Sequence, residues 1–131
     1  TTIPIPLRNI AIPMTFDIFR SYCLAKPHTT ESLPFDEVTL VLKVAGKMFA
    51  LANMVSLPLS MNLKCEPELA LELRERYESV RPGYHMNKKH WNTVVMNGTI
   101  PAGEVRQMID HSYELVIAGL PKKVREELFG G

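Results

Sequence analysis

Residues 81–94 read RPGYHMNKKHWNTV and form the most informative stretch of the chain. Apolar and polar residues alternate on both sides of positions 87–90, which predicts two β-strands joined by a short basic loop. Arg81, Lys88 and Lys89 supply fixed positive charges, and no acidic residue interrupts the run. Trp91, the only tryptophan in the chain, lies near its end. A basic hairpin with an aromatic ring and amide groups is suited to contacting phosphates or bases.

The same alternation predicts which side chains share a face of the sheet. Arg81 and His85 occupy equivalent positions of a period-2 element and should lie on one face, with Tyr84 and Met86 on the other. A simpler interpretation stays open, because a lysine pair at a hairpin tip is also typical of a solvated turn that protects a sheet edge. A lone tryptophan is likewise typical of a hydrophobic core.

Composition and charge limit the class of protein and the kind of partner. A chain of 131 residues fits one domain with a sizeable core. Its net charge of +1 is low for a dedicated nucleic-acid binder, so an anion-binding face must be a local patch that acidic residues offset elsewhere. Cys23 and Cys65 are too few for a disulfide framework and favour a reducing, cytoplasmic location. The spacings that mark metal sites and cofactor-binding loops are missing, so no metal and no cofactor is expected.

Residues 1–13, TTIPIPLRNIAIP, differ in character from the rest of the chain. They lack the apolar run of a signal peptide and the length of a membrane span. We interpret them as an extended leader or a remnant of cloning, with Met14 as the natural first residue. Residues 14–131 are then expected to form a single domain.

Local signals predict an α+β domain in the order α-βββ-α-ββ-α-α. Thr15 can cap a first helix that Pro27 ends, and His28–Val38 is predicted to be a loop. Ala45-Gly46 is predicted to be the turn of a hairpin. The other predicted elements are strands over Thr39–Ala45, Lys47–Ala52 and 58–64, an acidic helix opened by Pro67, the strands flanking 87–90, a helix over 101–120 and a short helix from Pro121. In the third strand, Ser60, Asn62 and Lys64 should lie on the face opposite Leu59, Met61 and Leu63.

Four segments closely resemble the MmcQ/YjbR family: LVLKVAGKMFAL, LSMNLKCEPELALELRERY, VRPGYHMNKKHWNTV and IDHSYELVIAGLPKKVREEL. The resemblance covers about Thr15 to Leu128. It implies a fold similar to that of the frataxin homologue CyaY, in which an antiparallel sheet packs against helices. It also implies non-enzymatic DNA binding through a double-wing arrangement of the hairpins.

The double-wing interpretation assigns nucleic-acid contacts to particular residues of this sequence. Arg81, Lys88 and Lys89 would contact phosphates, because they are charged and flexible. His90 or Asn92 would reach base edges, and Trp91 would stack on a base or brace the hairpin. The full set is Lys64, Arg81, His85, Asn87, Lys88, Lys89, His90, Trp91 and Asn92. Double-stranded DNA is the expected partner, with no membrane and no metal, and the oligomeric state stays open.

A frataxin-like fold raises iron binding as a second hypothesis. Frataxins carry an acidic ridge along the first helix and first strand, whereas the first helix here has Asp17 as its only acid. The nearest acidic cluster is Glu31, Asp36 and Glu37, and hard cations need more closely gathered oxygen ligands. Iron binding is therefore disfavoured.

Two further functions also stay open. An enzyme would use His85 or His90 as a general acid or base and Cys65 as a nucleophile, although no catalytic motif accompanies them. Cys65 precedes a predicted helix start, a position that stabilises thiolates. A protein-interaction module would use the same hairpin face without nucleic acid.

Overall fold

The computed structural model describes residues 14–84 and 86–130, so the predicted leader at 1–13, His85 and Gly131 lie outside the described residues. The helices are α1 (Phe16–Leu24), α2 (Pro67–Arg76), α3 (Ala102–Ala118) and α4 (Lys122–Phe129). The strands are β1 (Thr29–Ser32), β2 (Thr39–Val44), β3 (Lys47–Asn53), β4 (Ser60–Lys64), β5 (Val80–Pro82) and β6 (Trp91–Val95). Within these described ranges, no helix has both the length and the apolar character that a membrane span requires.

The strands form one sheet in the order β1-β2-β3-β4-β6-β5, with every neighbouring pair antiparallel. The predicted α+β class with an antiparallel sheet is confirmed. The predicted element order is wrong at one point, because β1 forms inside the segment His28–Val38 that was expected to be a loop. Thr29 pairs with Val44 of β2, and Arg20 of α1 donates two hydrogen bonds to the Glu31 carboxylate. β1 is therefore a strand because it pairs with β2, and the ion pair joins it to α1. Local alternation predicts neither contact.

Several local predictions are confirmed by the backbone. The Thr15 hydroxyl accepts a hydrogen bond from the Ile18 amide at 3.2 Å and so caps α1. Ala45 and Gly46 both have positive φ, 51° and 79°, and form the tight turn between β2 and β3. Pro67 occupies the first position of α2, where its missing N–H costs no helical hydrogen bond.

One face of the sheet, here called the inner face, carries the hydrophobic core and the packing of α3 against β3 and β4. Phe19 of α1 and Ile109 of α3 are fully buried there. Ser112 of α3 is also fully buried, and its hydroxyl bridges two strands. It accepts a hydrogen bond from the Lys64 amide at 2.9 Å and donates one to the Phe49 carbonyl at 2.5 Å. This side chain therefore fixes α3 to the backbone of both β3 and β4.

A polar cluster joins α1 to α3 at the margin of the core. The Tyr22 hydroxyl and the Lys26 ammonium both donate to one oxygen of Asp110, at 2.6 and 2.5 Å. Burial alone would raise the pKa of Asp110, but the hydrogen bonds from Lys26 and Tyr22 hold it below its ordinary value. Burial, together with the hydrogen bond to Asp110, raises the pKa of Tyr22 to about 12. Near neutral pH the carboxylate therefore stays charged and the phenol stays protonated, which keeps both hydrogen bonds.

The last helix, α4, is held mainly at its C-terminal end. The His28 ring donates a hydrogen bond from Nε2 to the Leu128 carbonyl at 2.8 Å. The same ring meets Phe129 edge to face, with centroids 5.2 Å apart. Phe129 also approaches Tyr113 of α3 at 6.5 Å. These contacts place α4 beside α3, in the helical layer.

Candidate nucleic-acid interface

The face of the sheet opposite the helices, here called the outer face, carries an aligned row of residues. Register places Val41 beside Leu51, Leu51 beside Asn62, and Asn62 beside Thr93. Arg81 completes the row on β5, opposite Thr93. Directly opposed residues share a face, and here the row changes from buried apolar residues on β2 and β3 to an exposed arginine on β5. The polar and basic end of the outer face therefore lies over β4, β6 and β5.

Lys64 and Trp91 form a second cross-strand pair on the outer face. Along β4, the half-buried Ser60, Asn62 and Lys64 alternate with the buried Met61 and Leu63. This confirms the prediction that the polar residues of this strand lie opposite its apolar ones. Trp91 is half-buried on the outer face, so it does not serve as a residue of the core beneath the helices.

The connection between β5 and β6 differs from the predicted short loop. β5 ends at Pro82, so the prediction of a strand reaching Met86 is wrong. The chain then folds into a helical turn in which the Asn87 carbonyl accepts hydrogen bonds from the amides of His90 and Trp91, at 3.2 and 2.9 Å. Proline favours edge strands and strand ends because it lacks the N–H that a ladder needs.

The predicted division of side chains between the two faces fails for the same reason. Tyr84 and Met86 line the same groove as Arg81 instead of lying on the opposite face, because the period-2 pattern ends with the strand. The position of His85 relative to Arg81 stays a prediction, since His85 is outside the described residues.

The two lysines of the turn are open to solvent. Lys88 and Lys89 are exposed, and so is Asn87, whose side-chain oxygen accepts a hydrogen bond from the Lys89 amide at 2.9 Å. His90 is half-buried, and its carbonyl accepts a hydrogen bond from the Cys65 amide at 2.7 Å. An anion can therefore approach the lysines from solvent, while the backbone that carries them is fixed to the end of β4.

Arg74 of α2 holds this turn in place and was not among the predicted site residues. Its Nε donates to the Asn92 side-chain oxygen at 2.8 Å, and its Nη2 donates to the carbonyls of Lys88 and Trp91. Asn92 is 1% exposed and lies on the inner face, which contradicts the expectation that it reaches a base edge. The sequence did not indicate this role of Arg74, because an arginine among glutamates on a helix is typical of a solvated ion pair.

A groove of about 730 Å³ runs along the outer face beside the aligned row. Its polar lining includes Asn62 and Thr93, which share a hydrogen bond of 2.6 Å, and the Tyr84 amide donates to the Thr93 hydroxyl at 2.9 Å. Two aromatic residues on the lining are strongly exposed, Phe35 at 64% and Tyr84 at 69%. The groove therefore combines hydrogen-bonding groups, aromatic rings, the arginine Arg81 and the carboxylate of Asp36.

The acidic residues that suggested a cation site make other contacts. The Asp36 carboxylate accepts hydrogen bonds from the amides of Val38 and Thr39, and these bonds hold the pKa of Asp36 below its ordinary value. Glu31 pairs with Arg20 at 2.6 Å. Within the part of the chain that the structure describes, no three His, Cys, Asp or Glu side chains gather closely enough to hold a metal ion.

Cys65, the nucleophile of the enzyme hypothesis, is a buried thiol. It is 5% exposed, and burial raises its pKa to about 11, with the charge of Glu66 adding to the effect. The helix start was expected to stabilise a thiolate, but loss of solvation outweighs that contribution.

We therefore expect iodoacetamide to alkylate Cys65 at least about 100-fold more slowly in the folded chain than in the denatured chain at about pH 7.5. A pKa near 11, against a reference value of 9.0, leaves about one hundredth of the reactive thiolate. Peptide mass spectrometry over a time course separates Cys65 from Cys23 and gives both rates. Equal rates in the folded and denatured chains would restore Cys65 as a candidate nucleophile.

Comparison with known proteins identifies the family of this chain. The family model described as YjbR matches residues 24–115. The chain is 36% identical to the uncharacterised protein YjbR of Escherichia coli K12 over 115 residues, which cover 88% of this chain and 98% of that protein. It is similar to the crystal structure of Deinococcus radiodurans DR2400, with a TM-score of 0.85, 44% identity and 91% of each chain covered. A crystal structure from Pseudomonas syringae has a TM-score of 0.67 and 29% identity, covering 78% of this chain and 98% of that one. The sequence match and the shared fold together show that the chain belongs to the YjbR family.

Proposed function

We propose that this protein binds nucleic acid across the outer face of its sheet. The observation that carries the proposal is the gathering of Lys64, Trp91 and Arg81 on one face, beside the exposed Lys88 and Lys89. Lysine and arginine side chains contact phosphates without regard to sequence. The polar side chains of Asn62 and Thr93, on the same face, offer groups that can form hydrogen bonds with base edges. This local patch explains how binding is compatible with a net charge of only +1.

The form of the groove supports single-stranded DNA or RNA better than a duplex. Single-strand binders stack bases on exposed aromatic side chains, and Phe35 and Tyr84 provide such rings here, in a groove whose charged residues are Arg81 and Asp36. A duplex-binding wing must project from the sheet, whereas Arg74 holds the β5–β6 connection against α2. The double-wing arrangement and the CyaY-like fold stay expectations from the family resemblance.

We propose a binding role without catalysis, in the cytoplasm. Both cysteines are free and buried, which suits a reducing compartment. Cys65 faces the helical layer, on the other side of the sheet from the groove. The proposed interface therefore has no thiol nucleophile at its surface.

Salt dependence tests the proposal. If Arg81, Lys88, Lys89 and Lys64 provide three to four phosphate contacts, log affinity should fall against log salt with a slope of roughly −2.1 to −2.8 on single strands. On duplex DNA the slope should be roughly −2.7 to −3.6. Raising salt from about 50 to 200 mM should then weaken single-strand binding by roughly 20- to 50-fold. Fluorescence anisotropy with labelled single-stranded DNA, RNA and duplex DNA, measured side by side, gives the slopes and the preferred form.

A double substitution with a matched control identifies the contact surface. Lys88→Ala with Lys89→Ala should flatten the single-strand slope by about 1.4 units. Lys122→Ala with Lys123→Ala makes the same charge change on α4, in the helical layer, and should leave the slope unchanged. Equal effects of both pairs, or no binding at low salt, would remove the turn as a nucleic-acid site.

A second candidate function rests on exposed apolar residues at one end of the sheet. The β1–β2 connection carries Phe35, and the β3–β4 connection carries Val55 and Leu57, which are 69% and 96% exposed. The two connections touch where the Met54 amide donates to the Val38 carbonyl at 2.7 Å. A surface of this kind suits a partner protein. If anisotropy detects no nucleic acid, the protein-interaction role becomes the better explanation.

A further inference from the structure

A second cavity lies on the inner side of the sheet, between α2, α3 and the strands β4 and β6. Its volume is about 160 Å³, and it is open to solvent. Apolar side chains from all four elements form most of its wall: Leu63, Leu69, Leu73, Val94 and Met108. An engineered apolar cavity of about 150 Å³ in another protein holds benzene, so this space suits a body of about one aromatic ring.

The buried side chains that line this cavity are all uncharged within residues 14–84 and 86–130. Cys65 and Asn92 are the polar ones among them, 5% and 1% exposed. The amide of Asn92 does not ionise, and burial raises the pKa of Cys65 to about 11, so its thiol stays protonated near neutral pH. An ion that entered the cavity would lose its hydration shell without gaining an opposite charge from these side chains. The buried wall therefore favours an uncharged occupant.

The cations near the cavity are engaged elsewhere. Arg76 is exposed and pairs with Glu72 of its own helix at 2.7 Å. Arg74 donates to the Asn92 side-chain oxygen and to two backbone carbonyls. Lys64 belongs to the lining, but its side chain lies on the outer face of the sheet. None of these three cations therefore gives an anionic ligand a ready partner in the cavity.

The mouth of the cavity carries polar groups without a dominant charge. The exposed Arg76 and the half-buried Glu104 both line it, so charges of opposite sign give neither an anion nor a cation an advantage. His111 accepts a hydrogen bond from the Glu66 amide through Nε2 at 3.2 Å, a contact that requires the uncharged ring. The amide of Gln107 can both donate to and accept from a hydroxyl. The mouth therefore suits an uncharged polar group.

We propose that this cavity binds a small uncharged molecule whose apolar body is about the size of one aromatic ring. The body packs against the leucine, valine and methionine wall, and its removal from water drives binding. A hydroxyl on the ligand lies at the mouth. This site is on the opposite side of the sheet from the nucleic-acid groove, and the proposal does not depend on nucleic-acid binding.

Three ligands that share one ring and differ in charge test the proposal: benzyl alcohol, benzoate and benzylamine. Each is titrated near neutral pH, without nucleic acid, while ¹H–¹³C NMR follows the methyl signals of Leu69, Leu73, Val94 and Met108. We expect benzyl alcohol to cause saturable shifts with a Kd on the order of 1 mM, as is usual for a ligand of this size. Benzoate and benzylamine are charged and must give up more hydration, so both should bind at least about tenfold more weakly.

The same spectra contain an internal control for the location of the ligand. Val41 and Leu51 lie on the outer face of the sheet and are buried apolar residues like those of the cavity wall. Their methyl signals should stay in place throughout the titration with benzyl alcohol. The pattern of shifts therefore distinguishes the cavity from the rest of the apolar interior in the unmodified protein.

Leu69→Trp provides a variant with a matched control. Leu69 is partly exposed in the cavity wall, so an indole ring at this position can fill the space, and the affinity for benzyl alcohol should fall at least about tenfold. Leu71→Trp makes the same change on the same helix, where the side chain is 60% exposed and outside the cavity wall. It should leave the affinity unchanged. If Leu69→Trp does not fold, the location of the shifts and the order of the three ligands still test the site.

Four results would overturn the proposal. Benzyl alcohol would cause no saturable shift of the wall methyl signals up to about 20 mM, well above the expected Kd. The shifts would appear at Val41 and Leu51 instead of the cavity wall. Benzoate or benzylamine would bind as tightly as benzyl alcohol. A folded Leu69→Trp variant would bind benzyl alcohol with unchanged affinity.

Discussion

We expect Ser112→Ala to lower the free energy of unfolding by roughly 1–3 kcal/mol, because the buried Phe49 carbonyl loses its partner, with a further contribution from the part-buried Lys64 amide. The Ser112 side chain is fully buried and links the Lys64 amide of β4 to the Phe49 carbonyl of β3. Alanine leaves both groups without this hydroxyl, in a core where water has little access. Urea unfolding followed by far-ultraviolet circular dichroism measures the change.

Ser21→Ala is the matched control for this substitution. Ser21 lies in α1 and is exposed, so its change should stay within about 0.5 kcal/mol. The denaturant slope should be similar in both variants, so that the midpoint reports stability alone. A change below about 0.5 kcal/mol for Ser112→Ala would show that the bridge contributes little to stability.

Gly83→Ala should destabilise the protein by roughly 1–3 kcal/mol, the usual cost of overpacking a site that cannot relax. A Cβ atom added to Gly83 would lie 2.8 Å from the Trp91 Cβ and 2.9 Å from the Trp91 carbonyl oxygen. The backbone cannot retreat easily, because the Gly83 amide donates to that same oxygen and Arg74 holds the oxygen from the other side. Thermal and urea unfolding measure the loss.

Gly103→Ala should have the opposite sign. Gly103 lies in the first turn of α3, and the nearest atom to an added Cβ is the end of the Arg106 side chain at 4.0 Å. Alanine favours the helix over glycine by up to about 1 kcal/mol, so this variant should be equally or more stable. If Gly83→Ala were as stable as Gly103→Ala, the close approach to Trp91 would not constrain the turn.

Local signals predict most of the elements, and they fail where a strand or a turn depends on distant contacts. The cap at Thr15, the turn at Ala45-Gly46 and the start of α2 at Pro67 need only neighbouring residues, and all three are confirmed. β1 consists of polar residues with no apolar alternation, so only its pairing with β2 makes it a strand. No local pattern reports such pairing.

The candidate site was predicted in part. Lys64, Arg81 and Trp91 share the outer face because period 2 and cross-strand pairing are regular. Asn92 falls between Trp91 and Thr93 and must face inward by the same rule, so its assignment to the surface overlooked the alternation within β6. Arg74 could not be found from spacing, since its partners lie on a different element and two of them are backbone carbonyls.

The edges of the sheet bear on how the protein behaves at high concentration. Open strand edges can recruit strands from other molecules, which leads to aggregation. Here the edge strand β5 has three residues and ends in Pro82, which has no N–H to donate to a strand from another molecule. The other edge, β1, has four residues and carries Glu31 in its pair with Arg20. Both edges of the sheet are therefore poor templates for pairing with other molecules. The protein does not need a large net charge to resist this form of aggregation.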